Sequence, residues 1–104
     1  MDLELASGRV IHEATSDDIL AHIDGEEFVI LSTAPDSFIQ CGEQKEPPYE
    51  FELEYREGSQ DRHYRAADGP ITLDRVINAF IWYLQGHPAW RSGFQWERLQ
   101  FPDA

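Results

Sequence analysis

The chain has 104 residues, a length that fits one compact domain over residues 1–104. It carries 20 acidic and 8 basic side chains, for a formal net charge of −12, so direct binding to nucleic-acid phosphates is not expected. Hydrophobic residues make up 41% of the chain, which is enough apolar surface to fold around a core. The one cysteine excludes an intrachain disulfide and a cysteine-based zinc cluster.

The sequence predicts neither export nor insertion into a membrane. Its N-terminal residues are acidic, which is the reverse of a secretory signal. The longest apolar runs, at residues 28–31 and 79–84, are far shorter than the roughly 20 residues that cross a bilayer. We therefore expect a soluble, cytoplasmic protein.

The negative charge is concentrated in the first half of the chain. Residues 1–54 contain 14 acidic and two basic side chains, whereas residues 55–104 contain six of each. Such an asymmetry can simply keep a protein soluble. It can also present a negative field that attracts a basic protein partner and accelerates the encounter. The sequence leaves both interpretations open.

The first predicted elements are two short strands, at residues 3–5 and 9–13, joined by a turn. A short helix follows, because Thr15 is a suitable N-cap and Gly25 a suitable stop. The apolar residues at helical spacing in this segment are Ile19, Leu20 and Ile23.

Three strands are predicted after this helix. The apolar, β-branched residues 28–31 predict a strand buried on both faces, and residues 38–41 return as its partner after a turn. Residues 49–55 alternate between apolar and acidic side chains, which predicts a strand with one buried face. The exposed face of that strand would carry Glu50, Glu52 and Glu54.

The segment after the alternating strand predicts a tight β-hairpin. Gly58 and Ser59 suit a two-residue type II′ turn. This turn gives cross-strand pairs that are charged on one face and apolar on the other. The predicted pairs are Arg56 with Asp61, Glu54 with His63, Glu52 with Arg65, Leu53 with Tyr64 and Phe51 with Ala66.

A longer amphipathic helix and one more strand complete the prediction. Thr72 is the N-cap candidate and Gly86 the C-terminal stop. The apolar residues between them form a wide stripe at Leu73, Val76, Ile77, Phe80, Ile81 and Leu84. A final strand is predicted over residues 95–101. The result is an α+β domain with a mostly antiparallel sheet of about five to six strands, and with one short and one longer helix packed on one face.

Residues capable of catalysis or metal binding are dispersed. Cys41 has no helix N-terminus beside it, and the neighbouring Glu43 would raise the pKa of its thiol. The four histidines lack the paired spacing of metal ligands. We expect no enzymatic activity, no metal and no cofactor. The alternative is a small-ligand protein or enzyme whose site is assembled from His12, Glu13, His22 and Cys41.

The tryptophans allow two interpretations. Trp82, Trp90 and Trp96 can close the core around the last strand. Alternatively, Trp90 or Trp82 stays partly exposed as an anchor for a partner, because tryptophan is enriched at binding hot spots.

The order of several segments is familiar. They are FVIL at 28–31, FIQ at 38–40, FELEYREGS at 51–59, RHYRA at 62–66, ITLDRVINAF at 71–80, YLQG at 83–86, Trp90 and Trp96-Glu97. Over residues 15–100 this order resembles small acidic bacterial immunity proteins, which neutralise polymorphic toxins. The resemblance implies a cytoplasmic binding protein without an active site of its own, and it carries over no binding residue.

Charge and resemblance together predict a protein-binding module that blocks a basic toxin domain through an acidic surface, as a monomer or weak homodimer. The alternative of the same binding class is a nucleic-acid mimic that occupies a DNA-binding protein, although the neutral second half argues against an extended mimic. The candidate partner-binding residues are Asp17, Asp18, Glu26, Glu27, Glu50, Glu52, Glu54 and Trp90.

Overall fold

The computed structural model describes residues 1–43, 50–69 and 71–101 of the chain. Within these residues it contains seven strands, three α-helices and one short 3₁₀ turn. In chain order they are β1 (Asp2–Leu5), β2 (Val10–Ile11), α1 (Ser16–His22), β3 (Phe28–Ala34), β4 (Ser37–Glu43), β5 (Phe51–Glu57), the 3₁₀ turn (Gln60–Arg62), β6 (His63–Ala66), α2 (Leu73–Gln85), α3 (Ala89–Ser92) and β7 (Trp96–Arg98).

All seven strands belong to one antiparallel sheet in the order β2-β1-β3-β4-β5-β6-β7. The apolar sides of α1 and α2 pack on one face of this sheet and form the core with it. The predicted α+β class, with a short and a longer helix on one face, is confirmed. The sheet has at least one strand more than expected, and β7 is shorter than the predicted 95–101.

The sheet is one-sided because its strands alternate. In β5 the side chains of Phe51, Leu53 and Tyr55 are buried, whereas Glu52 between them is exposed. The predicted alternation is confirmed for residues 51–55, and position 49 lies outside the described residues. Among the described residues, no helix covers the face that carries Glu52.

The prediction that residues 28–31 are buried on both faces is wrong. Val29 and Leu31 are fully buried, but Phe28 is 41% exposed and Ile30 is only half-buried. Because the helices pack on one side only, every second residue of β3 faces the uncovered side.

The hairpin of β5 and β6 forms, but its predicted register is wrong by two residues. The structure pairs Glu54 with Arg65, Tyr55 with Tyr64 and Arg56 with His63. The 3₁₀ turn Gln60–Arg62 lengthens the loop beyond the expected two-residue turn. A shift of two residues keeps every side chain on its predicted face, because the side-chain period of a strand is two.

Both predicted helices form. At the start of α1, Thr15 Oγ1 accepts a hydrogen bond from the Asp18 amide at 3.3 Å, and Asp18 Oδ2 accepts one from the Thr15 amide at 2.8 Å. Gly86 ends α2 with a φ of 71°, a left-handed conformation that favours glycine. Thr72 is the N-cap of α2, but its side chain makes no capping hydrogen bond. The helical spacing groups Leu20 with the apolar residues Ile19 and Ile23 of this segment, but Leu20 is 53% exposed.

We expect Thr15→Ala to lower the free energy of unfolding by about 1 kcal/mol, because it removes the hydroxyl that caps α1. The matched control is Thr72→Ala at the N-cap of α2. It should lower the free energy of unfolding by less than about 0.5 kcal/mol, because no capping bond is lost. Urea unfolding followed by circular dichroism measures both variants. Equal losses would show that the capping box does not stabilise the start of α1.

Candidate functional site

The open face is the face of the sheet opposite the helices. In its centre, cross-strand neighbours form two rows, Phe28 with Gly42 and Glu52, and Ile30 with Gln40 and Glu54. These six residues line a groove of about 370 Å³, which we call the central groove. β3 supplies apolar side chains to one wall of the groove, and β5 supplies carboxylates to the other.

Acidic residues gather at one end of the central groove. β3 begins, β4 ends and β5 begins at the same end of the sheet, because the three strands are antiparallel neighbours. The amide of Glu43 donates to the carbonyl of Glu27 at 3.3 Å, which joins two of these segments. The acidic residues on the segments that meet at this end are Glu26, Glu27, Glu50 and Glu52, and we call them the acidic end. Glu43 is not one of them, because it is the register partner of the buried Phe51 and points to the covered face.

No glutamate of the acidic end has an ion-pair partner among the described residues, a property that it shares with Glu4, Glu13, Asp17, Asp18, Asp24, Glu43, Asp61 and Asp74. Seven side-chain ion pairs occur among the described residues, and none includes a glutamate of the acidic end. The carboxylates in those pairs are Asp2, Asp36, Glu54, Glu57, Asp68 and Glu97. Unpaired carboxylates close to one another produce a negative potential that adds up over this surface.

The other end of the open face is filled by a cluster of aromatic and cationic side chains. The guanidinium carbon of Arg56 lies 5.4 Å from the ring centre of Phe38 and 5.9 Å from that of Phe101. His63 is buried and packs edge to face against both phenylalanine rings. The protein's own side chains therefore cover this part of the open face, and the central groove and the acidic end remain accessible.

His63 is a buried polar residue whose role the sequence did not indicate. Its Nδ1 accepts a hydrogen bond from Arg56 Nε at 3.1 Å, and its Nε2 lies 2.7 Å from Glu54 Oε1. Because Nδ1 accepts, the proton of the neutral ring is on Nε2, which donates to Glu54. The predicted register placed Glu54 directly opposite His63, whereas the structure makes them diagonal neighbours that still form this bond.

The structure brings five of the eight predicted contact residues together. Glu26, Glu27, Glu50 and Glu52 belong to the acidic end, and Glu54 lines the adjoining groove. Sequence reasoning missed Phe28 and Gly42 as residues of this surface. Their neighbours are set by the pairing of β3, β4 and β5, and the local pattern carries no such signal.

Asp17 and Asp18 do not belong to this surface. They lie in the first turn of α1, which packs on the covered face through Ile19. The amide and hydroxyl of Thr15 donate to the Asp18 carboxylate and lower its pKa. The Asp18 charge therefore stabilises the start of α1 and lies away from the central groove.

Trp90 is not an anchor on the open face. It is half-buried in α3, and its ring packs edge to face on Tyr55 at 4.9 Å and on Tyr83 at 5.0 Å. Trp96 packs on the same Tyr55 ring at 4.7 Å. Since Tyr55 points into the core, the structure agrees with the interpretation in which these tryptophans close the core. Trp82 is half-buried as well.

Two of the residues considered for a dispersed small-ligand or catalytic site, Cys41 and His12, lie apart, because Cys41 is in β4 and His12 follows the edge strand β2. Cys41 is buried on the covered side of β4, and burial raises the pKa of its thiol to about 12. The side chain of His12 is 77% exposed beside the edge strand β2, with its Nδ1 3.1 Å from Asp2.

In residues 1–43, 50–69 and 71–101, no group of three or more His, Cys, Asp or Glu side chains is arranged to hold a metal ion. Over the same ranges, no helix combines the length and the apolar character needed to span a bilayer.

We expect Cys41 to resist alkylation in the folded protein, because a pKa of about 12 reduces the thiolate fraction about a thousandfold relative to an ordinary thiol. The measurement is the rate of reaction with iodoacetamide at pH 8, followed by mass spectrometry with and without urea. The matched control is Gln40→Cys in a Cys41→Ala background, which places a thiol on the open face and should react much faster. Similar rates for the two folded proteins would contradict the burial of Cys41.

Comparison with known proteins adds no assignment to this geometry. No protein-family model matches the chain, and no curated protein or solved structure is significantly similar to it.

Proposed function

We propose that this protein is a non-enzymatic binding module that docks a basic surface of another protein onto its open face. The observation that carries the proposal is an exposed aromatic ring, Phe28, beside an acidic end without ion-pair partners among the described residues. Unpaired carboxylates attract and orient a basic surface during encounter. The aromatic ring adds apolar contact area of the kind that contributes most at binding hot spots.

The other reading of the acidic end is that it only keeps the protein soluble. Charges that serve solubility work well when both signs are interspersed, and they need no apolar ring among them. Here five arginines, Arg56, Arg62, Arg65, Arg75 and Arg91, form ion pairs with carboxylates outside the acidic end and leave its glutamates without such a pair. The exposure of Phe28 within the acidic region also works against solubility. Both observations favour a binding surface.

The resemblance of the sequence to immunity proteins supplies the concrete role. In that role the protein is a cytoplasmic monomer that neutralises a bacterial toxin by stoichiometric contact. A toxin that acts on nucleic acid needs a basic substrate surface, and such a surface is complementary to the acidic end. Inhibition then requires occupancy of that surface and no catalytic group on the inhibitor.

We expect the double variant Glu50→Lys, Glu52→Lys to bind its partner at least about tenfold more weakly, with a lower association rate and a weaker dependence on salt. The reason is that two of the unpaired carboxylates become cations at the docking surface. The partners to test are the proteins encoded by the neighbouring genes, with any toxin-like protein among them first. Binding is measured by surface plasmon resonance at low and physiological salt, and protection by growth on co-expression.

The matched control is Asp17→Lys, Asp61→Lys, which makes the same change in net charge outside the open face. This control should change the affinity by less than about twofold, since both positions lie away from the central groove. If the two double variants lose the same affinity for the partner, the net charge of the protein alone determines binding. If the neighbouring toxin neither binds nor is neutralised, the immunity role is wrong.

A further inference from the structure

Gly42 lies in the centre of the groove although its backbone does not require glycine. Its φ is outside the left-handed region, and a Cβ at this position would come no closer than 3.5 Å to another atom, the carbonyl oxygen of Glu27. That distance is ordinary van der Waals contact, so a larger residue is compatible with the strand. What glycine provides at this position is open space above β4.

The open space lies between an aromatic ring and a carboxylate. Gly42 is the register partner of Phe28 on β3 and of Glu52 on β5. Neighbouring strands are about 4.8 Å apart, so the backbones of these two residues are about 10 Å apart with no side chain between them. Phe28 and Glu52 are both exposed. We call the space between them the Gly42 gap.

We infer that the Gly42 gap binds one arginine side chain of a protein partner. The guanidinium stacks on the Phe28 ring, and its N–H groups donate to the Glu52 carboxylate. The inference rests on the proposed function, because it names the chemical group that docks at the same surface. A guanidinium is planar and weakly hydrated, so it can stack on a ring while its edge donates to a carboxylate.

The chain itself shows this combination of contacts twice. The guanidinium of Arg75 lies 4.6 Å from the ring centre of Phe94 while it donates to Asp68 at 3.4 Å. The guanidinium of Arg56 lies over Phe38 and donates to Asp36, also at 3.4 Å. In the Gly42 gap, by contrast, the ring and the carboxylate are present and no described cation forms an ion pair with Glu52. Arg65 on β6 interacts with the Glu52 charge only at longer range.

A lysine side chain fits this gap less well than arginine. Its ammonium group is compact and strongly hydrated, so contact with the ring and donation to the carboxylate require it to lose water. A purely apolar side chain would cover Glu52 without a hydrogen-bond donor, which is unfavourable for a charged group. The gap therefore selects arginine by shape and by charge.

The experiment titrates the ¹⁵N-labelled full chain with the tripeptide acetyl-Gly-Arg-Gly-amide and follows the amide shifts of Phe28, Gly42 and Glu52. The comparison peptides replace arginine with lysine, which keeps the charge, or with citrulline, which keeps the planar shape. We expect the arginine peptide to bind at least about threefold more tightly than the lysine peptide. It should bind about tenfold more tightly than the citrulline peptide.

Three variants test the residues of the gap. Gly42→Val fills the space, Glu52→Gln removes the charge, and Phe28→Leu removes the aromatic face while it keeps apolar area. Each variant should bind the arginine peptide more weakly, and Glu52→Gln should lower the affinity about tenfold. The matched control is Glu4→Gln on β1 of the same open face, which should leave the affinity unchanged. Glu4 is the register partner of Ile30 but does not itself line the groove. If Gly42→Val does not fold, Glu52→Gln and Phe28→Leu still decide the result.

Equal affinity for the arginine and lysine peptides, or equal effects of Glu52→Gln and Glu4→Gln, would overturn the inference. Those results are separable from the proposed function. If the Glu50→Lys, Glu52→Lys variant loses the protein partner while the peptides show no selectivity, the inference is wrong and the binding function stands. If the peptides show selectivity while charge reversal leaves partner binding intact, the Gly42 gap is supported and the proposed function is wrong.

Discussion

The structure depends on helices that cover only one face of the sheet. Antiparallel strands point successive side chains to opposite faces, so a strand with one covered face buries every second residue and exposes the rest. β3 shows the consequence most clearly, because Val29 and Leu31 lie in the core while Phe28 between the acidic segments faces solvent. The fold thus separates an apolar core from a charged and aromatic face along the same strands.

Ion pairing and packing then divide the open face into two parts. At one end, Arg56 and His63 join Glu54 to the aromatic rings, so charges are compensated by close partners. At the other end, the glutamates of the acidic end have no such partners among the described residues. A partner gains the most binding free energy where the charge of the surface is uncompensated and an apolar ring is accessible. The difference between the two ends is the basis on which we propose the central groove as the docking surface.

Local patterns predicted the elements well and the long-range arrangement less well. The cap at Thr15 and the stop at Gly86 follow from short-range hydrogen bonding and backbone conformation, so both helices were predictable. The register of β5 and β6 was missed, because a 3₁₀ turn in the loop replaced the expected two-residue turn. Trp90 was ambiguous because its spacing does not say which side of the sheet α3 occupies.

By itself, the sequence determined the α+β class, the two main helices, the alternation of β5 and the excess of acidic residues in the first half. These properties depend on neighbours a few residues apart, where periodicity and capping act. Only the tertiary structure decided that Glu26 and Glu27 lie at the same end of the sheet as Glu50 and Glu52, and that Gly42 separates Phe28 from Glu52. Those juxtapositions come from strand order and register, which long-range packing sets.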